Sequence, residues 1–144
     1  MAVYPALFTP DREKGGFVVT FPDLPGCITQ GDNEAEARAM AEDALSLMLA
    51  HLIGEAGEIP RPSVRRGKSY RQIGLPLVES AKLDLYLAFR ASGLRKSALA
   101  RRMGIQKTNI DRLFDLQHSS KLNQLEAAFR ALGKRLVIGV EDAA

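Results

Sequence analysis

The chain has 144 residues, 46% hydrophobic and 26% charged, which suits one ordinary domain or two small ones and argues against a disordered tail. The single cysteine, Cys27, excludes an intramolecular disulfide, and one cysteine with two histidines is a poor inventory for zinc, so no metal or cofactor is expected. The net charge of +3 hides a division near Pro60: residues 1–60 carry three basic against ten acidic side chains (net −7), residues 61–144 carry 17 against 7 (net +10).

Met1-Ala-Val-Tyr-Pro lacks a basic leader and soon meets Asp11-Arg-Glu-Lys, so no signal peptide is expected. Tyr4, Ala6 and Phe8 alternate with Pro5 and Leu7 as a first strand ending at Thr9-Pro10. Asp11 to Gly16 reads as a polar turn with two glycines able to take positive φ. Phe17, Val19 and Phe21 continue as a second strand, paired with the first as a hairpin. Pro22 and Pro25 leave regular pairing, and Cys27 to Gln30 forms a short third strand.

Asn33-Glu-Ala-Glu36 has the spacing of a capping box at a helix start. Ala37, Ala41, Ala44, Leu45, Met48, Leu49 and Leu52 follow at three- and four-residue spacings, one stripe to lie across the sheet. Gly54 and Gly57 stop this helix. Its richest apolar stretch, residues 44–53, is too short to span a bilayer, so a cytoplasmic protein without a membrane partner is expected. A joint at residues 58–69 holds Pro60, Pro62, Arg65, Arg66 and Lys68, and Tyr70 to Leu75 suits a fourth strand. The expected class is α+β, with a βββαβ unit over residues 1–76 and a helical unit over residues 77–144.

The helical half carries the strongest local signal. A helix opens at Ser80 or Ala81 and runs to about Ala91, a second covers Lys96–Met103, and a third begins near Gln106 and passes Leu113. Ala100 is small where two helices cross closely, Gly104 can take the left-handed turn, and Leu99, Met103, Ile105, Ile110 and Leu113 are the apolar positions of a helix-turn-helix. Gln106, Lys107, Thr108, Asn109 and Arg112 then project outward as residue types that read base edges. Lys96, Ser97, Arg101 and Arg102 suit phosphates. A polyanionic partner fits the basic half, while a solvated three-helix bundle is the plain alternative. A last helix, residues 122–132, precedes Arg135-Leu-Val-Ile-Gly-Val140, which reads as a terminal strand needing a second copy to pair with.

Together these segments resemble the HicB antitoxins of bacterial HicA–HicB toxin–antitoxin systems, in their Xre/Cro-like helix-turn-helix form, over nearly the whole chain. The resemblance rests on Gly16 to Cys27 (GFVVTFPDLPGC), Thr29-Gln-Gly-Asp32 and Glu36-Ala37 in the first half. In the second it rests on Leu99 to Gly104 (LARRMG), Asp111 to Leu116 (DRLFDL), His118 with Lys121, and Ala131 to Leu136 (ALGKRL). It implies a partial ribonuclease H-like N-terminal domain that binds a small basic mRNA-cleaving HicA toxin. It also implies a C-terminal domain that dimerises, or forms a higher even-numbered oligomer, and represses its own promoter by binding operator DNA.

A nuclease would need several carboxylates converging on metal inside the sheet. Asp11, Glu13 and Asp23 fall in loops, and the strand bodies offer Thr20 and Gln30 instead, so no enzyme is expected. Those three carboxylates, with the acidic residues on the exposed face of the long helix, remain candidates for toxin contact. The alternative reading is a free-standing helix-turn-helix regulator whose N-terminal domain senses a ligand.

Overall fold

Four short strands build one sheet in the computed structural model, which describes residues 2–143. They are β1 (Val3–Pro10), β2 (Phe17–Thr20), β3 (Ile28–Gly31) and β4 (Tyr70–Gly74), in the order β3-β2-β1-β4 with every neighbouring pair antiparallel. The polar turn closes the β1–β2 hairpin through Asp11, whose Oδ1 accepts the amides of Glu13 and Lys14, both at 3.1 Å. Tyr4, Ala6, Phe8, Val19 and Ile73 are buried by the pleat on one face of the sheet.

Helix α1 (Glu34–Gly54) lies on that face, with Ala37, Ala41, Leu45 and Leu49 buried against it. Asn33 caps it by accepting the Glu36 amide at 2.9 Å, as the Asn-x-x-Glu spacing predicts. Glycine is required at Gly31, where a Cβ would sit 2.3 Å from the Ala37 backbone nitrogen and push β3 off the helix. β3 starts at Ile28 rather than Cys27, because the Cys27 amide closes a turn on the Leu24 carbonyl at 3.0 Å.

The joint is strapped down rather than merely solvated. Tyr4 donates its hydroxyl to the Pro60 carbonyl at 2.7 Å, and Asp23 accepts the Ser63 amide at 2.9 Å. Burial, aided by the Asp23 charge, pushes the Tyr4 phenol up to about 12. Folding therefore stabilises the protonated phenol, a contribution complete below pH 10 and lost as pH rises toward 12. A loss of about 1.4 kcal/mol per pH unit is expected in that window. Denaturant titrations at pH 9 and pH 11 should show it in the native chain and not in Tyr4→Phe; equal slopes would contradict it.

The basic half is helical: α2 (Leu77–Ser92), α3 (Lys96–Met103), α4 (Lys107–Phe114) and α5 (Leu122–Ala131). α2 starts a turn earlier than the sequence pattern suggests, since Pro76 takes an extended N-cap conformation and its carbonyl accepts the Ser80 amide at 2.8 Å. Leu99, Ala100, Ile110 and Leu113 are buried as expected, whereas Met103 and Ile105 are half-buried. Gly104 ends α3 at φ 67° in the left-handed region, and the Ile105 amide reaches back to the Ala100 carbonyl at 3.0 Å. A Cβ at Gly104 would meet nothing, so glycine is needed there for the hand of the backbone.

The expected C-terminal strand is not formed. Residues 134–143 have no regular structure, and Val137 and Val140 are 72% and 99% exposed. A strand needs a neighbour's amides and carbonyls, and none lies beside this segment within one chain. No helix among the described residues is long and apolar enough to cross a membrane.

Candidate nucleic-acid and protein interfaces

The α3–turn–α4 unit presents most of its polar residues outward. Ser97, Arg101, Arg102, Gln106, Lys107, Thr108, Asn109 and Arg112 are exposed, and Lys96 is half-buried. Gln106 stands at the N-cap of α4, and Lys107, Thr108 and Asn109 form its first turn. That helix end gathers free amides and the positive end of the dipole beside these side chains. Arg112 lies one turn on and donates to Asn109 Oδ1 at 3.4 Å.

The expected phosphate-binding residues are less uniform. Lys96 holds Asp111 of α4 at 2.7 Å, and Arg102 donates to the Ala131 carbonyl at the end of α5 at 3.2 Å. Exposed pairs of this kind are worth at most about 1 kcal/mol and can be exchanged for another anion. A groove of about 380 Å³ between α4 and α5 joins Asn109 and Arg112 to His118, Ser120, Asn123 and Gln124. These last four were not identified from the sequence as site residues, because they follow the recognisable turn and belong to no helical spacing shared with it.

What sets α4 in place is a buried lysine. Lys82 of α2 is fully buried, and its ammonium donates to the carbonyls of Arg112 at 3.0 Å, Asp115 at 2.8 Å and His118. Three N–H groups thus meet three carbonyls at the C-terminal end of α4, where a cation also complements the helix dipole. Burial pulls the Lys82 pKa below the ordinary lysine value, with Asp115 and Glu79 acting in the opposite direction.

In the acidic half the three candidate carboxylates separate. Asp11 is occupied by its own turn and Asp23 by the joint, while Glu13 is exposed. Glu34 accepts from Arg71 of β4 at 2.5 Å, and that hydrogen bond and charge hold its carboxyl below the usual range. Along α1 the exposed carboxylates Glu36, Glu42 and Asp43 have no cation bridged to them among the described residues. Ser46, on the flank of α1 toward α2, donates to Glu79 at 2.5 Å, tying the two halves at that point. Among the described residues no group of three or more His, Cys, Asp or Glu is arranged to hold a metal ion.

Residues 3–84 match the model of a HicB-like antitoxin of bacterial toxin–antitoxin systems. An "Antitoxin HicB 1" of Photorhabdus laumondii is 37% identical over 138 residues, 96% of this chain and 86% of that protein. An "Antitoxin HicB" of Escherichia coli K12 is 39% identical over 133 residues, 92% of this chain and 95% of that protein. A chain of a toxin–antitoxin complex from Streptococcus pneumoniae superposes at a TM-score of 0.46 and 24% identity, over 76% of this chain and 92% of that one. With a family match across more than half its length and relatives similar from end to end, this chain belongs to the HicB-like antitoxin family of bacterial toxin–antitoxin systems.

Proposed function

We propose that this cytoplasmic chain neutralises a HicA-type mRNA-cleaving toxin with its first half and represses its own operon with its second. The toxin-binding domain, of partial ribonuclease H-like form, spans residues 1–76 with the joint at 58–69; the helix-turn-helix and dimerisation domain spans residues 77–144. The observation that carries this reading is the coincidence of charge with architecture. The net −7 of residues 1–60 lies on β1 to β3 and α1, while residues 61–144 are net +10, half of it on the joint and β4 and half on the bundle that exposes Gln106, Lys107, Thr108, Asn109 and Arg112 together. Residues 135–140, without regular structure and mostly exposed, pair with the same segment of a second copy, which gives each a strand neighbour and sets two helix-turn-helix units at a fixed spacing.

Both activities are testable on the full chain. Titration with an inactive HicA-type toxin should give tight binding that weakens as salt rises. A duplex of the operon's own promoter should be shifted in preference to a scrambled one. A chain that binds promoter but no toxin would instead be a free-standing regulator.

A further inference from the structure

Helix α1 buries one apolar side against the sheet and exposes two further large apolar side chains on the opposite side. A surface helix normally turns an unbroken polar face outward. Along the side of α1 away from the sheet, the ridge Glu36, Met40, Asp43, Leu47 and His51 repeats at three- and four-residue steps. Leu47 is 61% exposed and Met40 40%. Beside them Ile28, on the edge strand β3, is 63% exposed. Between strand and helix lies a shallow pit of about 260 Å³ lined by Cys27, Ile28, Ala44, Leu47, Met48 and His51. Its floor is firm, since Cys27 is buried with its thiol donating to the Ala44 carbonyl at 3.5 Å.

The charged side chains on the ridge itself have one sign. Glu36 and Asp43 stand in the ridge. The only Arg or Lys of α1, Arg38, lies on another side of the helix, 4.0 Å from Glu34. An apolar centre with a charged rim is the anatomy of a protein interface, and an acidic rim selects a basic one. Nucleic acid would be repelled. A symmetric contact with a second copy would set one acidic ridge against another, which like charge disfavours.

We infer that this ridge and pit are the docking face for a basic protein, which seats an apolar side chain between Ile28 and Leu47 and surrounds Glu36 and Asp43 with Lys or Arg. The inference rests on the toxin-binding reading above and names the surface that performs it.

The probe is an inactive HicA-type toxin, titrated calorimetrically into the full-length chain. Leu47→Asp should weaken binding at least about a hundredfold, because it places a desolvated charge at the centre of the contact. Asp43→Lys changes only an exposed side chain and leaves folding untouched. It should weaken binding about tenfold and flatten the salt dependence. Leu87→Asp, equally exposing a charge but on α2, should bind as the native chain does. If the native chain itself fails to bind the toxin, the toxin-binding reading falls. If it binds, and both Leu47→Asp and Asp43→Lys bind unchanged, the reading stands and this face is wrong. A native oligomer that sediments as a smaller species after Leu47→Asp would assign the face to a second copy and overturn the proposal.

Discussion

Replacing Lys82 by methionine is expected to remove about 3–5 kcal/mol of folding stability. Methionine matches the length and volume of the lysine stem, so packing in the interior is nearly preserved. What disappears is the set of hydrogen bonds to the carbonyls of Arg112, Asp115 and His118. Those acceptors sit around a fully buried position, so water cannot replace the ammonium without opening the bundle. The damage is therefore directional: the end of α4 and the turn into α5 should loosen first. Urea unfolding followed by circular dichroism measures the total, and amide exchange along residues 107–120 locates it. A loss below about 1 kcal/mol would mean that the three carbonyls find other donors and that the lysine is dispensable.

Nothing in the local sequence marks Lys82. It stands in a helix whose neighbours Leu83, Tyr86 and Phe89 announce the buried face, and a lysine among them reads as a surface residue. Its acceptors lie 30 to 36 residues further along, beyond the reach of any spacing rule. Asp23 shows the same limit. As a loop carboxylate in an acidic half it suits a partner's lysine, yet it accepts the Ser63 amide from 40 residues away. Leu87, four residues after the buried Leu83, suits the same packing stripe by periodicity, yet it is 41% exposed.

What the sequence did reveal is local. Asn33 caps α1, Gly104 turns the chain after α3, and the alternation in β1 and β2 sets their inner face, because each depends on residues within one turn or one strand. Residues 135–140 mark the boundary between the two cases. Their alternation suits a strand, but a strand is a property of a pair, and no pairing forms for this segment among the described residues. The acidic residues on the outward face of α1 are legible in the sequence as a candidate contact, whereas the exposure of Met40 and Leu47 among them is fixed only by how the helix lies on the sheet.

Simultaneous replacement of Gln106, Asn109 and Arg112 by alanine is expected to reduce affinity for the promoter duplex at least about a hundredfold, since each base contact is worth about 1–3 kcal/mol. All three side chains are exposed, and none anchors the bundle, so stability should hardly change. Affinity for a scrambled duplex should fall only by the share that Arg112 contributes as a bare charge. Lys96→Ala should behave differently. It would remove one cation and also free the Asp111 carboxylate now held at 2.7 Å, leaving a negative charge on α4. Binding to every sequence should then weaken, and the slope of log affinity against log salt should fall by more than the value of about one expected for a single phosphate contact. Arg102→Ala should lose the slope of one contact together with its hydrogen bond to the Ala131 carbonyl, a small additional cost at the end of α5. Gel shifts across a salt series, on promoter and scrambled duplexes, separate the two patterns. Undiminished preference for the promoter in the triple variant would mean that α4 does not read bases. An unaltered salt slope in Lys96→Ala would mean that Lys96 serves α4 alone and never meets a phosphate.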